Sequence, residues 1–175
     1  MRKALIPVVW LLALAGIACN KIDDLLTFYI NQDEEIKVEA TFPLGQVVPL
    51  TPVTVTTNSE ETFKNNKTRA ELVKDVTLQQ LELTITDPQN ENFNFLKGIE
   101  LYISSEQQGE TKIAYLDEVP QNVRTLQLKL TNAKLDEYIK GDAYTIRTKA
   151  VLAKPIASDI AINAGMRFKV TADPL

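Results

Sequence analysis

Histidine is absent from the 175 residues, and that absence narrows the chemistry more than any motif does. It removes the side chain most used as a general base near neutral pH and the commonest metal ligand. No Ser-His or Cys-His pairing exists. Cysteine occurs once, at Cys19, so no intramolecular disulfide forms and the fold rests on its core. The six glycines are scattered, which leaves no phosphate-cradling loop. Ser59, Ser104, Ser105 and Ser158 stand in turn-like contexts without a Gly-x-Ser-x-Gly elbow. Basic residues are in deficit, 19 against 23 acidic ones for a net charge of −4. An acidic chain lacks the electrostatic footprint by which proteins displace counterions from phosphates, so nucleic acid is excluded as a partner.

Long apolar runs are also missing. Ala4 to Ala18 covers 15 residues, short of the roughly 20 that span a bilayer. What stands there instead is tripartite: Arg2 and Lys3, then an apolar stretch to Leu14, then Ala15-Gly16-Ile17-Ala18 before Cys19, the layout of a secretory signal. Gly16-Ile17-Ala18-Cys19 resembles the lipobox of bacterial lipoproteins, with Gly16 where leucine is usual. The resemblance implies a diacylated Cys19 sulfur, cleavage before it, and an acylated new amino group. A plain signal peptide with a chance cysteine and a retained membrane helix are the alternatives. Two or three acyl chains, at about 0.8 kcal/mol per buried methylene, anchor far more firmly than one. Loss of Arg2 and Lys3 with the leader leaves 17 basic residues against 23 acidic, a net charge of −6.

The expected organisation is therefore a signal peptide over 1–18, a lipidated tether over 19–24 and one β-sandwich domain over 25–175. The mature length suits one domain with a proper core, or two very small ones, and no linker long or polar enough to separate two is evident. Period-two alternation marks the strands. Leu25 to Ile30 reads as a first strand, and Ile36, Val38 and Ala40 share one face of a second. Pro43, Gly45, Pro49 and Pro52 break the next stretch into a turn and an edge-like segment carrying Val53 and Val55. Ser59 to Lys74 is polar and without alternation, apart from a short helix expected over Thr68 to Lys74 with Thr68 and Glu71 as a capping box. Val76 and Leu78, then Leu81, Leu83 and Ile85, need one extra residue between them to share a face, which predicts a β-bulge near Gln79. Asp87-Pro88 ends that strand.

Further strands are expected at Ile99 to Ile103, Lys112 to Leu116, Leu126 to Leu130, Tyr144 to Leu152 and Met166 to Val170. Leu135 to Lys140 reads as a helical turn closed by Gly141, a residue that tolerates the left-handed end conformation. Eight or nine short strands with hardly any helix predict an all-β, antiparallel, immunoglobulin-like sandwich with one or two short helical turns.

Carboxylates are the chemistry that remains. Glu60-Glu61, Asp117-Glu118 and Asp136-Glu137 are sequence neighbours, and neighbours on a strand face opposite ways, so they read as solvated surface rather than an acid–base pair. Asp87, Asn90, Glu91 and Asn92 offer hard oxygen ligands but lack the glycine-turn spacing of a calcium loop. No catalytic residue, metal ligand or cofactor is assigned. Tyr102, Tyr115 and Tyr144 are candidates for an exposed sheet face that stacks on a sugar or peptide, against the commoner role of cross-strand pairing.

Thr62-Phe63-Lys64-Asn65-Asn66, Leu72-Val73-Lys74, Phe93 to Ser104 and Leu135 to Lys140 together resemble small envelope lipoproteins of the Bacteroidota type, over roughly Cys19 to Val170. The resemblance implies an all-β envelope protein without a known activity, anchored at the outer membrane through Cys19. The acidic run Lys21-Ile22-Asp23-Asp24 is a partial likeness to the signal associated with display on the cell surface. The expected function is a non-catalytic binding or scaffolding module of the envelope, its partners being membrane lipid through Cys19 and another envelope protein or a glycan. The alternative is a carboxylate- or calcium-dependent accessory hydrolase or a glycan-binding protein.

Overall fold

Alternating apolar residues produce strands here because each strand has one face to bury and one to hydrate, and two such sheets satisfy each other face to face. The computed structural model describes residues 26–175. The signal peptide, Cys19, the tether and Leu25 lie outside the described residues. The elements in order are β1 (Thr27–Val38), β2 (Val47–Pro49), β3 (Val53–Thr56), α1 (Ser59–Asn65), β4 (Val73–Asp87), β5 (Leu96–Ser104), β6 (Thr111–Leu116), β7 (Thr125–Gln127), β8 (Lys129–Leu130), α2 (Asp136–Ile139), β9 (Ala143–Leu152) and β10 (Ile160–Ala172), with 3-10 turns at Ala70–Leu72 and Phe93–Phe95.

A four-stranded sheet runs β1-β10-β4-β7; a six-stranded sheet runs β2-β9-β5-β6-β8, with β3 also paired to β9. Every strand pair is antiparallel. The inner faces join in one apolar cluster that includes Ile36, Val76, Leu81, Leu83 and Phe168 from the first sheet and Ile99, Leu101, Ile103, Ile146 and Leu152 from the second. No helix among the described residues is long and apolar enough to cross a membrane.

The expected bulge is present. Leu78 pairs with Phe168 and Gln80 with Arg167, so Gln79 is the supernumerary residue in β4. Leu78 and Leu81 are both buried on its two sides. The strand ends at Asp87, as expected.

Four expectations need correction. The two strands at Leu25–Ile30 and Ile36–Ala40 are one, because β10 pairs with β1 residue for residue through the polar stretch Asn31 to Glu35. Gln32 and Glu34 share the phase of Ile30 and Ile36 and satisfy each other through a 2.6 Å hydrogen bond. The helix falls at Ser59–Asn65 and not at Thr68–Lys74, where only the Ala70–Leu72 turn forms. Phe63 is fully buried and packs edge-on against Phe28, so one tertiary anchor outweighs the polar composition around it. The Thr68 hydroxyl caps nothing and donates to the Asp173 carbonyl.

Leu126 to Leu130 is not one strand. β7 pairs with β4 in one sheet and β8 with β6 in the other, so the chain changes sheets at Leu128 and closes that side of the sandwich. Gly141 does not take the left-handed conformation; among the described glycines only Gly45 does, with Lys67, Asn122 and Asn132 as non-glycine cases among the described residues.

Candidate functional site

The outer face of the six-stranded sheet gathers the chemistry that the sequence spreads over 50 positions. β5 presents Glu100 and Tyr102 outward because Ile99, Leu101 and Ile103 are buried. In β6 a register shift leaves Leu101 opposite Ala114 and Tyr102 opposite Lys112, with Ile113 supernumerary. Ile113 and Ala114 are both buried. The bulge therefore brings Lys112 and Tyr115, three residues apart, to one face, where strict alternation would oppose them. β9 sets Arg147 beside Tyr102 and Lys149 beside Glu100. β8 sets Lys129 beside Tyr115.

Glu100, Tyr102, Lys112, Tyr115 and Lys149 form a connected network with Glu110. The Tyr102 hydroxyl donates to Glu100 Oε2 at 2.7 Å, and Lys112 Nζ donates to Glu100 Oε1. Lys149 Nζ lies 3.9 Å from the Tyr102 ring centroid and 2.9 Å from Glu110 Oε1. Lys112 lies 5.6 Å from the Tyr102 centroid and 5.8 Å from that of Tyr115, within cation–π range of both. The hydrogen bond from Lys112, then that from Tyr102, holds the Glu100 carboxyl below its ordinary range. Glu100 and Glu110 in turn raise Lys112 and Lys149. Glu100 stays ionised and both amines stay charged across the physiological range. The face thus bears four cations (Lys112, Lys129, Arg147 and Lys149) against two carboxylates (Glu100 and Glu110), a positive surface on an acidic chain.

Beside the network lies a shallow depression of about 360 Å³, floored at Gly98 and walled by Val47, Leu116 and Val151. A Cβ on Gly98 would sit 3.2 Å from the Leu116 carbonyl, so close strand approach accounts for the glycine.

The structure divides the tyrosines expected to share a face. Tyr102 and Tyr115 do share one. Tyr144 does not: it is buried, edge-on to Phe168, and burial pushes its hydroxyl far above the ordinary range. Among the carboxylates, Glu60 and Glu61 lie in the first turn of α1, and Asp136 and Glu137 in that of α2, where Lys140 bonds Glu137 at 2.8 Å. Asp117 and Glu118 follow β6. Asn92 accepts from the Asn94 amide, and Glu91 accepts from that of Asn92. No group of three or more metal-ligating side chains occurs among the described residues. Sequence reasoning missed Lys112, Lys149, Arg147, Glu110 and Lys129. The one available signal was the adjacent apolar pair Ile113-Ala114 between two polar residues, the mark of a bulge.

No protein-family model matches the chain, and no curated protein matches it. Among solved structures, a chain from Desmodium yellow mottle tymovirus is similar over 85% of this chain and 90% of its own, at 9% identity and a TM-score of 0.28. A likeness that slight transfers neither fold nor function.

Proposed function

We propose that this chain is a membrane-anchored, non-catalytic lipoprotein, a binding or scaffolding module of the cell envelope that meets its partner through the outer face of the six-stranded sheet. The anchoring half rests on the leader and on Cys19 in its lipobox-like setting, with attachment at the outer membrane. From Cys19 to the start of β1 at Thr27 an extended tether reaches at most roughly 25–30 Å. That length keeps the sandwich close to the lipid surface. Display on the outer leaflet is the preferred orientation, on the strength of Asp23 and Asp24.

The observation that carries the binding half is the concentration of four cations and two tyrosines on one face of a chain with a net charge of −4. Lys, Tyr and Arg in a pre-bonded network recognise a partner without first being ordered, which lowers the entropy lost on binding. Catalysis is disfavoured by the absence of histidine. The paired carboxylates lie at separate helix starts and in a turn, away from the shared geometry a glycosidase requires. The immunoglobulin-like description belongs to this proposal too and is supported by the facing antiparallel sheets, although β1 here lies beside β10, first strand against last.

Mass spectrometry of the native protein, with fractionation of wild type and Cys19→Ser, tests the anchor. The expected result is an acylated N-terminal cysteine in the outer-membrane fraction and release of the variant. An intact leader or an unmodified thiol overturns it. A photo-crosslinking residue at position 115 tests the face: adducts to a defined envelope component are expected from it, and none from position 37 on the opposite sheet.

A further inference from the structure

We infer that the ligand of this face is a linear acidic polysaccharide bearing carboxylates, a step that rests on the face being the recognition surface. The centre of the patch is internally satisfied: Glu100 is held by Lys112 and Tyr102, and Glu110 by Lys149. The two flanking cations are held less closely. Arg147 has a 3.9 Å approach to Glu110 and a 3.4 Å bond to Ser104. Lys129 makes no ion pair among the described residues. They stand on β9 and β8, three strand spacings or about 15 Å apart. A ligand that seats one negative charge on each must be extended and must cross the strands, passing over Tyr102 and Tyr115 between them.

Charge complementarity fixes the sign of the ligand, and the position of the patch fixes its class. A peptide gains most of its affinity from a sheet by adding to an edge, where free amides and carbonyls await it. Between Arg147 and Lys129 the patch lies over β9, β5 and β6, whose backbones are paired on both sides, and only β8 beneath Lys129 is an edge, so a peptide crossing the tyrosines leaves its own backbone without partners there. A sugar chain has no backbone ladder to complete. Its hydroxyls bond to side chains such as Ser104, and its C–H faces pack on tyrosine edges. Two cations about 15 Å apart, one weakly paired and one without an ion pair among the described residues, suit widely spaced carboxylates rather than the dense phosphates of a nucleic acid.

The test is calorimetric titration of the full acylated chain, in detergent, with an oligogalacturonate, a neutral galactan of the same length and poly-glutamate. Oligogalacturonate is expected to bind, with affinity falling as salt rises. The double variant Arg147→Glu, Lys129→Glu weakens binding at least tenfold, the milder Arg147→Gln, Lys129→Gln weakens it in the same direction, and Lys37→Glu changes it less than twofold. Circular dichroism checks that each remains folded. Equal binding of the neutral galactan removes the electrostatic argument, and equal or tighter binding of poly-glutamate assigns the face to an acidic protein segment. Failure of all three ligands alongside adducts from position 115 overturns this inference alone. Failure of both removes the recognition surface as well.

Discussion

Deleting Gln79 should destabilise the protein by about 3–6 kcal/mol. The residue is exposed and its side chain reaches only Thr77, at 3.2 Å, so its value lies in backbone phase. With it, Val76 and Leu78 before the bulge and Leu81, Leu83 and Ile85 after it all point inward, at 4% exposure or less. Without it, one arm must turn outward, since a one-residue slip reverses every side chain. The shorter arm is the cheaper to lose. Exposing Val76 and Leu78 costs about 1.5–3 kcal/mol each, a large part of the roughly 5–15 kcal/mol that holds an ordinary domain together. Urea unfolding followed by circular dichroism measures the difference, with Gln79→Ala as the control that keeps the bulge and should fall within about 0.5 kcal/mol of wild type. A deletion variant within about 1 kcal/mol of wild type would show that β4 finds its phase without Gln79, and the register argument would be wrong.

Three further outcomes follow from the same packing and charge pattern. Phe168→Ala, which removes a ring with no exposed surface that meets Tyr144, should cost about 3–5 kcal/mol in the same assay; a loss under about 1 kcal/mol would mean the inner face repacks freely. Tyrosinate absorbance at pH about 10, the ordinary tyrosine midpoint, should be the same in Tyr144→Phe as in wild type, because burial keeps the Tyr144 hydroxyl protonated well past that point. The Glu100 carboxyl has a folded pKa below its unfolded one, so its contribution is complete above the unfolded value of about 4.3 and is lost as pH falls through the folded one. The ion pair with Lys112 is over a third exposed on the lysine side, so Glu100→Gln should remove less than about 1 kcal/mol at neutral pH and nothing in acid below the folded value. A stability gap that widens on acidification would refute the assigned sign.

The two bulges show how far a sequence can be read. At Gln79 the apolar residues on either side form two clean alternating runs out of phase, and burial allows only one repair. At Ile113 the same device is hidden, because β6 is too short for two runs to declare themselves. That hidden bulge is what joins Lys112 and Tyr115 to Tyr102, and so the candidate site became visible only in three dimensions. β1 was misread for a related reason: Asn31 to Glu35 has no apolar alternation of its own and is a strand because β10 supplies a partner at every residue. Tyr144 shares its strand phase with Ile146 and Thr148, and the buried side of that phase was there to be read.

Composition and local pattern determined what this chain is made of: an acidic, histidine-free, single-cysteine protein whose period-two runs yield antiparallel strands and whose first 19 residues resemble a lipoprotein address. These properties are intrinsic to each residue or to its near neighbours, and such information survives in one dimension. Which strands pair, where the chain crosses at Leu128 from one sheet to the other, and which cations meet which rings were decided by tertiary structure. Those outcomes depend on contacts between residues far apart in the chain, and an energy shared by two distant residues is written in neither of them alone.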